Sequence, residues 1–340
     1  AELIEEALEP TDPVSPHPKR DAVLGMFAGL ILGVGVSFLR EQLNDRLRSA
    51  DEVAEISGLP LLARLPLDDE TAKGAGGVAV LERPNSLLAE AVRSMRTSIQ
   101  YLGVDQPIKL VVVTSSLPGE GKSLAAANLA VMFAQADYRT LLVSADLRRS
   151  SIDEIFGEHS PSPGLTGLIA PVRPGTAASR ANGNGNGRAE RALDTTGLGQ
   201  AVVKTPVPNL LLLPAGPTPP NPAELLGSGR MSTLLAEWSG SADVVILDTP
   251  PLLAVTDAAV LAARSDGVVL VAAVNETKRE ALKQSMAILE ATGARLLGAV
   301  ANKVPSSGQG AYYYAGYYGG AAEPPKKGWK ARRTDLARRS

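Results

Sequence analysis

Leu110-Val-Val-Val-Thr114 runs into Ser115-Ser-Leu-Pro-Gly-Glu-Gly-Lys-Ser123, and a helical pattern over 123–135 follows at once. A strand-length apolar run, a Gly-bearing loop and a helix, in that order, form the setting of a phosphate-binding loop. Gly119 and Gly121 allow the backbone to wrap closely around phosphate oxygens, so that successive N–H groups point at the anion. The helix beginning near Lys122 adds the positive end of its dipole. Lys122 sets an ammonium against the β/γ-phosphates, and the Ser123 hydroxyl is placed to ligate Mg²⁺. One position departs from the consensus G-x-x-x-x-G-K-[ST], which wants Gly where this chain has Ser116. ATP and Mg²⁺ are the cofactors this stretch predicts. Pro118, Gly119, Glu120, Gly121, Lys122, Ser123 and Leu124 are its expected nucleotide contacts, joined by Asn302 just beyond the apolar run at 297–301.

Further short apolar runs lie at 141–145, 210–213, 244–247, 268–273 and 297–301, with helical patterns at 222–238, 257–264 and 278–292 between them. Continuous apolar strands alternating with helices indicate an α/β domain, a mostly parallel, doubly wound sheet covered on both faces. In such a sheet the strand C-termini form the ligand crevice. Asp248 follows the run Val244-Val-Ile-Leu and Asp146 follows Leu141-Leu-Val-Ser-Ala, so both carboxylates are expected there, where each reads otherwise as a strand-end turn residue. Lys122, Asp146 and Asp248 are the expected catalytic set, and Ser123, Asp146 and Asp248 the expected metal set.

The 340 residues suit one large α/β domain plus something smaller. A net charge of −2 argues against a general nucleic-acid binder. Without cysteine, disulfides, thiol catalysis and Cys-based zinc sites are excluded, and two histidines make a His-rich metal centre a poor reading. Residues 22–39 carry no charge and, as a helix, would be roughly 27 Å long, close to the ~30 Å hydrocarbon core of a bilayer. Lys19, Arg20 and Arg40 flank this stretch at snorkelling positions. A membrane span is expected, with the nucleotide-using side in the cytoplasm. Residues 2–9 read as a charged helix beginning at once after Ala1, so upstream sequence is expected too.

Two more stretches stand out. Asn85 begins a helical pattern to about 102 that contains Glu90-Ala-Val-Arg-Ser-Met-Arg96, with Glu90, Arg93 and Arg96 on one broad face. By spacing alone that face is a solvated one or a charged contact for a neighbouring subunit. Beyond Pro305, Tyr312, Tyr313, Tyr314, Tyr317 and Tyr318 sit among Gly and Ala ahead of a Lys/Arg cluster, a composition that predicts a disordered tail.

Together these motifs resemble the bacterial tyrosine autokinases of exopolysaccharide and capsule assembly, in which a P-loop domain follows a chain-length-determinant (polysaccharide co-polymerase) membrane domain. The loop Ser-Leu-Pro-Gly-Glu-Gly-Lys-Ser, Asn221-Pro-Ala-Glu-Leu-Leu226, Asp248-Thr-Pro-Pro251 and the E-x-x-R-x-x-R stretch at 90–96 all carry the resemblance. It implies a P-loop NTPase fold organised as an extracytoplasmic Pro-rich end of the chain-length domain (1–21), a transmembrane helix (22–39), a juxtamembrane linker (40–84), a kinase domain (85–304, with a mobile insertion at 171–192) and a tyrosine-cluster tail (305–340). It implies transfer of phosphate from ATP to the tail tyrosines of a neighbouring subunit, oligomerisation through Glu90, Arg93 and Arg96, and partnership with the polysaccharide export machinery and a cognate phosphatase. The family's strand motif D-x-D-x-R has Ser144 at its first position here, with Asp146 and Arg148 retained. A membrane-tethered ATPase switch of the partition or division-site type, and a nucleotide-dependent scaffold with weakened catalysis, are the alternatives.

Overall fold

The computed structural model describes residues 18–42, 45–67, 78–157, 162–170, 198 and 201–305. The expected helix at 2–9, the insertion at 171–192 apart from its neighbours, and the tyrosine tail lie outside the described residues. The chain divides into two compact units, Ala1–Arg46 and Leu47–Ser340.

The first unit is described through one helix, Pro18–Gln42, longer at both ends than the apolar stretch that predicts it. Its window Lys19–Phe38 is long and apolar enough to cross a membrane. Among the described residues Ile31 and Leu32 are each 70% exposed.

The second unit is built on an eight-stranded sheet in the order β1-β8-β7-β2-β6-β3-β5-β4. The strands are β1 (Leu61–Pro66), β2 (Leu110–Ser115), β3 (Thr140–Ser144), β4 (Val203–Lys204), β5 (Leu210–Leu213), β6 (Val244–Asp248), β7 (Gly267–Ala273) and β8 (Leu296–Val304). All neighbours pair in parallel except β4, which runs antiparallel to β5. Every residue of β2, β3, β6 and β7 is buried, which is why these strands read as unbroken apolar runs.

Successive side chains point to opposite faces, and each face meets its own set of helices. Val112, Val143, Val245 and Leu247 pack with Leu234 and Trp238 of helix Gly229–Ser241 and Leu282 and Leu289 of helix Arg279–Ala291. Val111, Val113, Leu142 and Ile246 pack with helix Lys122–Ala134 and with Val92, Met95 and Ile99 of helix Leu87–Leu102. Helix Lys122–Ala134 is buried almost all round, and its run of alanines lets it lie close on the sheet. From β2 the chain moves over β6 to β3, whereas from β6 it moves over β2 to β7. The reversal places a crevice at the C-terminal end of β2, where the Gly-bearing loop begins.

Two local features differ from the periodicity. The pattern over 222–238 is two helices, Pro222–Leu226 and Gly229–Ser241, because Ser228 caps the second by accepting from Met231 N at 3.2 Å. Arg264 donates to the carbonyls of Leu226 and Gly227 at the break. Strand β4, two residues long, is too short to show any alternation.

Candidate functional site

The loop between β2 and helix Lys122–Ala134 is held from behind. Gly119 and Gly121 take left-handed φ values of 84° and 90°, which a side chain disfavours. A Cβ on Gly121 would also fall 2.0 Å from Asn302 Nδ2. That amide donates to the Glu120 carbonyl at 2.8 Å, and Lys303 Nζ donates to the Gly119 carbonyl at 2.9 Å and to Glu276 at 2.6 Å. Asn302, expected from sequence as a nucleotide contact, thus has its amide on the loop backbone.

The Glu120 side chain turns inward. Its Oε2 accepts from Leu117 N at 3.0 Å and its Oε1 from Thr277 Oγ1 at 2.5 Å, while Thr277 Oγ1 accepts from Ala273 N. Burial raises its pKa, against the hydrogen bonds from Thr277 and Leu117. The front of the loop is pinned to the segment after β6: Leu252 N and Leu253 N donate to the carbonyls of Ser115 and Ser116, Thr114 Oγ1 donates to Pro250 O, and Thr249 Oγ1 to Val113 O. Ser116 is buried there, and its hydroxyl has no partner among the described residues.

The three residues expected to be catalytic converge. Lys122 Nζ lies 3.2 Å from Asp146 Oδ2, 3.8 Å from Asp248 Oδ1 and 3.1 Å from Ser123 Oγ. Asp146 Oδ1 accepts from the backbone amides of Arg148 and Arg149, which fixes the turn after β3. Asp248 is fully buried, and among the described residues neither of its oxygens has a hydrogen-bond partner. Burial pushes its carboxyl up to about 6, with Asp146 adding to the effect and the Lys122 charge and nearby Ser123 hydroxyl opposing it. An orphaned, desolvated carboxylate facing a second one fits a divalent cation that keeps its waters. Among the described residues no group of three or more His, Cys, Asp and Glu could hold a metal. Two carboxylates and a hydroxyl match the sparse protein ligation that Mg²⁺ takes beside phosphates.

A cavity of about 490 Å³ opens in front, lined by Gly119, Lys122, Ser123, Asp146, Arg149 and Pro251. Gly121 and Leu124 separate it from a second cavity of about 330 Å³ walled by Leu65, Leu88, Val92 and Asn128. Arg148 is drawn aside, its guanidinium forked onto buried Asp257 at 3.0 and 3.2 Å. Ser144 Oγ lies 2.8 Å from Ser150 Oγ, which donates to Asp153 Oδ2 at 3.1 Å.

The other expected sites fare differently. Within this single chain Arg93 pairs with Glu90 one turn away, and Arg96 donates to the Met132 carbonyl at 3.2 Å near the end of helix Lys122–Ala134. Tyr312, Tyr313, Tyr314, Tyr317 and Tyr318 lie outside the described residues. Sequence reading missed Thr277, Lys303, Asp257, Ser150 and Asp153. None belongs to a motif of its own, and each reaches its partner only through the fold or a turn.

A parallel sheet, a left-handed Gly loop on a helix N-terminus, and a lysine between two strand-end carboxylates define a P-loop nucleotide-binding domain. No protein-family model matches the chain. It is 38% identical over 242 residues to the tyrosine-protein kinase YwqD of Bacillus subtilis, a match covering 71% of this chain and 91% of that protein. It is 29% identical over 316 residues to the tyrosine-protein kinase ptk of Acinetobacter johnsonii, covering 91% of this chain but 40% of that longer protein. The kinase domain of the Escherichia coli tyrosine kinase ETK superposes with a TM-score of 0.65 at 28% identity, over 77% of this chain and 96% of that domain. The chain belongs to the bacterial tyrosine-protein kinases.

Proposed function

We propose that this chain is an ATP-dependent tyrosine autokinase that transfers the γ-phosphoryl group to the tyrosine cluster 312–318 of a neighbouring copy. The observation that carries the reading is the Lys122 ammonium set between buried Asp146 and Asp248 at a helix N-terminus. With ATP bound, Lys122 moves onto the β/γ-phosphates and offsets charge on the transferring group. Ser123, Asp146 and Asp248 would hold Mg²⁺, which supplies charge neutralisation and alignment of the phosphates. The apolar wall of Leu65, Leu88 and Val92 suits a base, and the cavity beside Arg149 suits the phosphates and the incoming tyrosine.

Residues 22–39, within helix Pro18–Gln42, span the cytoplasmic membrane with residues 1–21 outside, and the catalytic unit begins at Leu47, not at 85, because β1 inside the expected 40–84 linker pairs with β8 of the kinase sheet. Glu90, Arg93 and Arg96 serve assembly between copies, their present intrachain partners being exchanged for those of a neighbour. The substrate process is export or polymerisation of an exopolysaccharide or capsule, reset by a phosphatase.

Incubation of the whole chain with Mg-ATP, followed by mass spectrometry, should place phosphate on residues among Tyr312–Tyr318. Lys122→Met should abolish the labelling. An unlabelled tail in the wild type, or labelling that Lys122→Met leaves intact, would sink this reading. Steady phosphate release without phosphotyrosine would instead mark a membrane-tethered ATPase switch.

A further inference from the structure

The proposed reaction leaves one hydrogen-bonded row of side chains unused. Ser144 ends β3 in register with Asp248 of β6. Leu142 and Ile246, two residues back on each strand, both belong to the face covered by helix Lys122–Ala134, so Ser144 and Asp248 share that face side by side. Ser144 Oγ lies 2.8 Å from Ser150 Oγ, and Ser150 Oγ donates to Asp153 Oδ2 at 3.1 Å. A hydroxyl carries one proton and two lone pairs. Ser150 has committed its proton to Asp153, so Ser144 donates to Ser150 and the polarity of the row is set. The row starts beside the metal-facing carboxylate and ends on a partly buried one, whose Oδ1 is buried without a partner among the described residues. Ser151 and Ile155, flanking Asp153 in the chain, line the phosphate-side cavity.

We propose that Ser144, Ser150 and Asp153 form a proton relay that takes up the proton of the attacking hydroxyl. The proposal rests on the kinase reading above. As the tyrosine oxygen bonds to the γ-phosphorus, the bond to the β–γ bridging oxygen breaks and ADP leaves. The phenolic proton passes to Ser144 Oγ, the proton of Ser144 to Ser150 Oγ, and that of Ser150 to Asp153 Oδ2. Asp153 ends as the acid, loses its proton to solvent, and the hydroxyls turn back.

The neighbouring carboxylates are otherwise committed. Asp146 accepts from two backbone amides and from Lys122, and Asp248 faces the metal position. Ser144 is fully buried, and Lys122 Nζ lies 3.8 Å from Oδ1 of its register partner Asp248, so the relay meets the attacking hydroxyl only once Lys122 has moved onto the phosphates. Burial raises the Asp153 carboxyl, with the Ser150 hydrogen bond opposing and Glu154 reinforcing, the direction that improves a proton acceptor.

The test measures the initial rate of phosphotyrosine formation with Mg-ATP, and its solvent deuterium isotope effect, in the whole chain. Asp153→Asn and Ser144→Ala should each slow transfer about tenfold to a hundredfold and diminish the isotope effect, with mant-ATP affinity unchanged. The double variant should be no slower than either single one, because a relay breaks only once. Ser144→Asp places a carboxylate at the strand end and should restore transfer in the Asp153→Asn background. Should Asp153→Asn fold poorly, Ser144→Ala reads the same relay. Wild-type rate and isotope effect in either single variant, or losses that multiply in the double, overturn the relay while leaving the kinase standing. No phosphotyrosine in the wild type overturns both.

Discussion

Asp248→Asn is expected to melt at a higher temperature than the wild-type chain near neutral pH while losing phosphotransfer by on the order of a thousandfold. The loss follows from removing one of two carboxylates that would position the metal, a contribution of several kcal/mol to the transition state. The gain follows from burial. Asp248 is fully buried, its oxygens have no hydrogen-bond partner among the described residues, and its carboxyl is raised to about 6 from an ordinary 3.8. The folded protein therefore holds this proton more tightly than the unfolded chain does. The associated stability is complete below the ordinary carboxyl pKa and is lost as pH rises through about 6. At higher pH the native state bears a cost of up to about 3 kcal/mol for a shift of roughly two units, and asparagine removes it. Lys122 keeps Asp146 as its partner at 3.2 Å, so the substitution does not strand the ammonium. Thermal melts of the nucleotide-free chain at pH 4 and pH 8 decide the matter. A gain at pH 8 that disappears at pH 4 is the expected pattern, and a loss at pH 8 would show that Asp248 stabilises the fold.

The second large effect is at Glu120. Glu120→Ala removes the acceptor for the partly buried Leu117 N and for the buried Thr277 hydroxyl behind the phosphate loop. Each stranded donor costs about 1–3 kcal/mol, so a loss of about 2–6 kcal/mol is expected, with ATP affinity falling at least about tenfold as the loop loosens. Glu120→Gln separates the hydrogen bonds from the charge. It keeps an acceptor for Leu117 and should stay within about 1 kcal/mol of wild type at pH 8. Because burial raises the Glu120 pKa, its protonated form favours the native state, and that contribution is lost as pH rises through the raised pKa. Glu120→Gln should flatten this part of the pH dependence. Chemical denaturation and mant-ATP titration of the three proteins give the answer, and an Ala variant as stable and as tight-binding as wild type would dismiss Glu120 as a strut.

Both residues show how unevenly the molecule can be read from its chain. Asp248 was legible because it follows four apolar residues of a strand buried on both faces, where a carboxylate is conspicuous. Glu120 stands inside the phosphate motif and reads as a nucleotide contact, yet its side chain points away to Thr277, 157 residues later. Lys303 reaches the Gly119 carbonyl across 184 residues. The wholly buried strands β2, β3, β6 and β7 announced themselves by composition, whereas β4 has only two residues and owes its pairing to β5. Arg96 reads as a surface charge by spacing, and only packing of its helix against Lys122–Ala134 brings it to the Met132 carbonyl. Pro222–Leu226 and Gly229–Ser241 read as one helix because the apolar period passes through the break that the Ser228 cap creates.

By itself the sequence determined the strand–loop–helix of the phosphate site, the doubly wound sheet, the apolar helix and the two strand-end carboxylates. These depend on local order and on burial patterns written residue by residue. The tertiary structure decided which polar groups meet: Glu120 with Thr277, Asn302 and Lys303 with the loop carbonyls, Arg148 with Asp257, and Ser144 with Ser150 and Asp153. A buried polar group must find a partner, but its chemistry names only the kind of partner and not the place in the chain. Sheet order and helix packing supply that place, and with it the difference between a residue that touches the nucleotide and one that holds the loop for it.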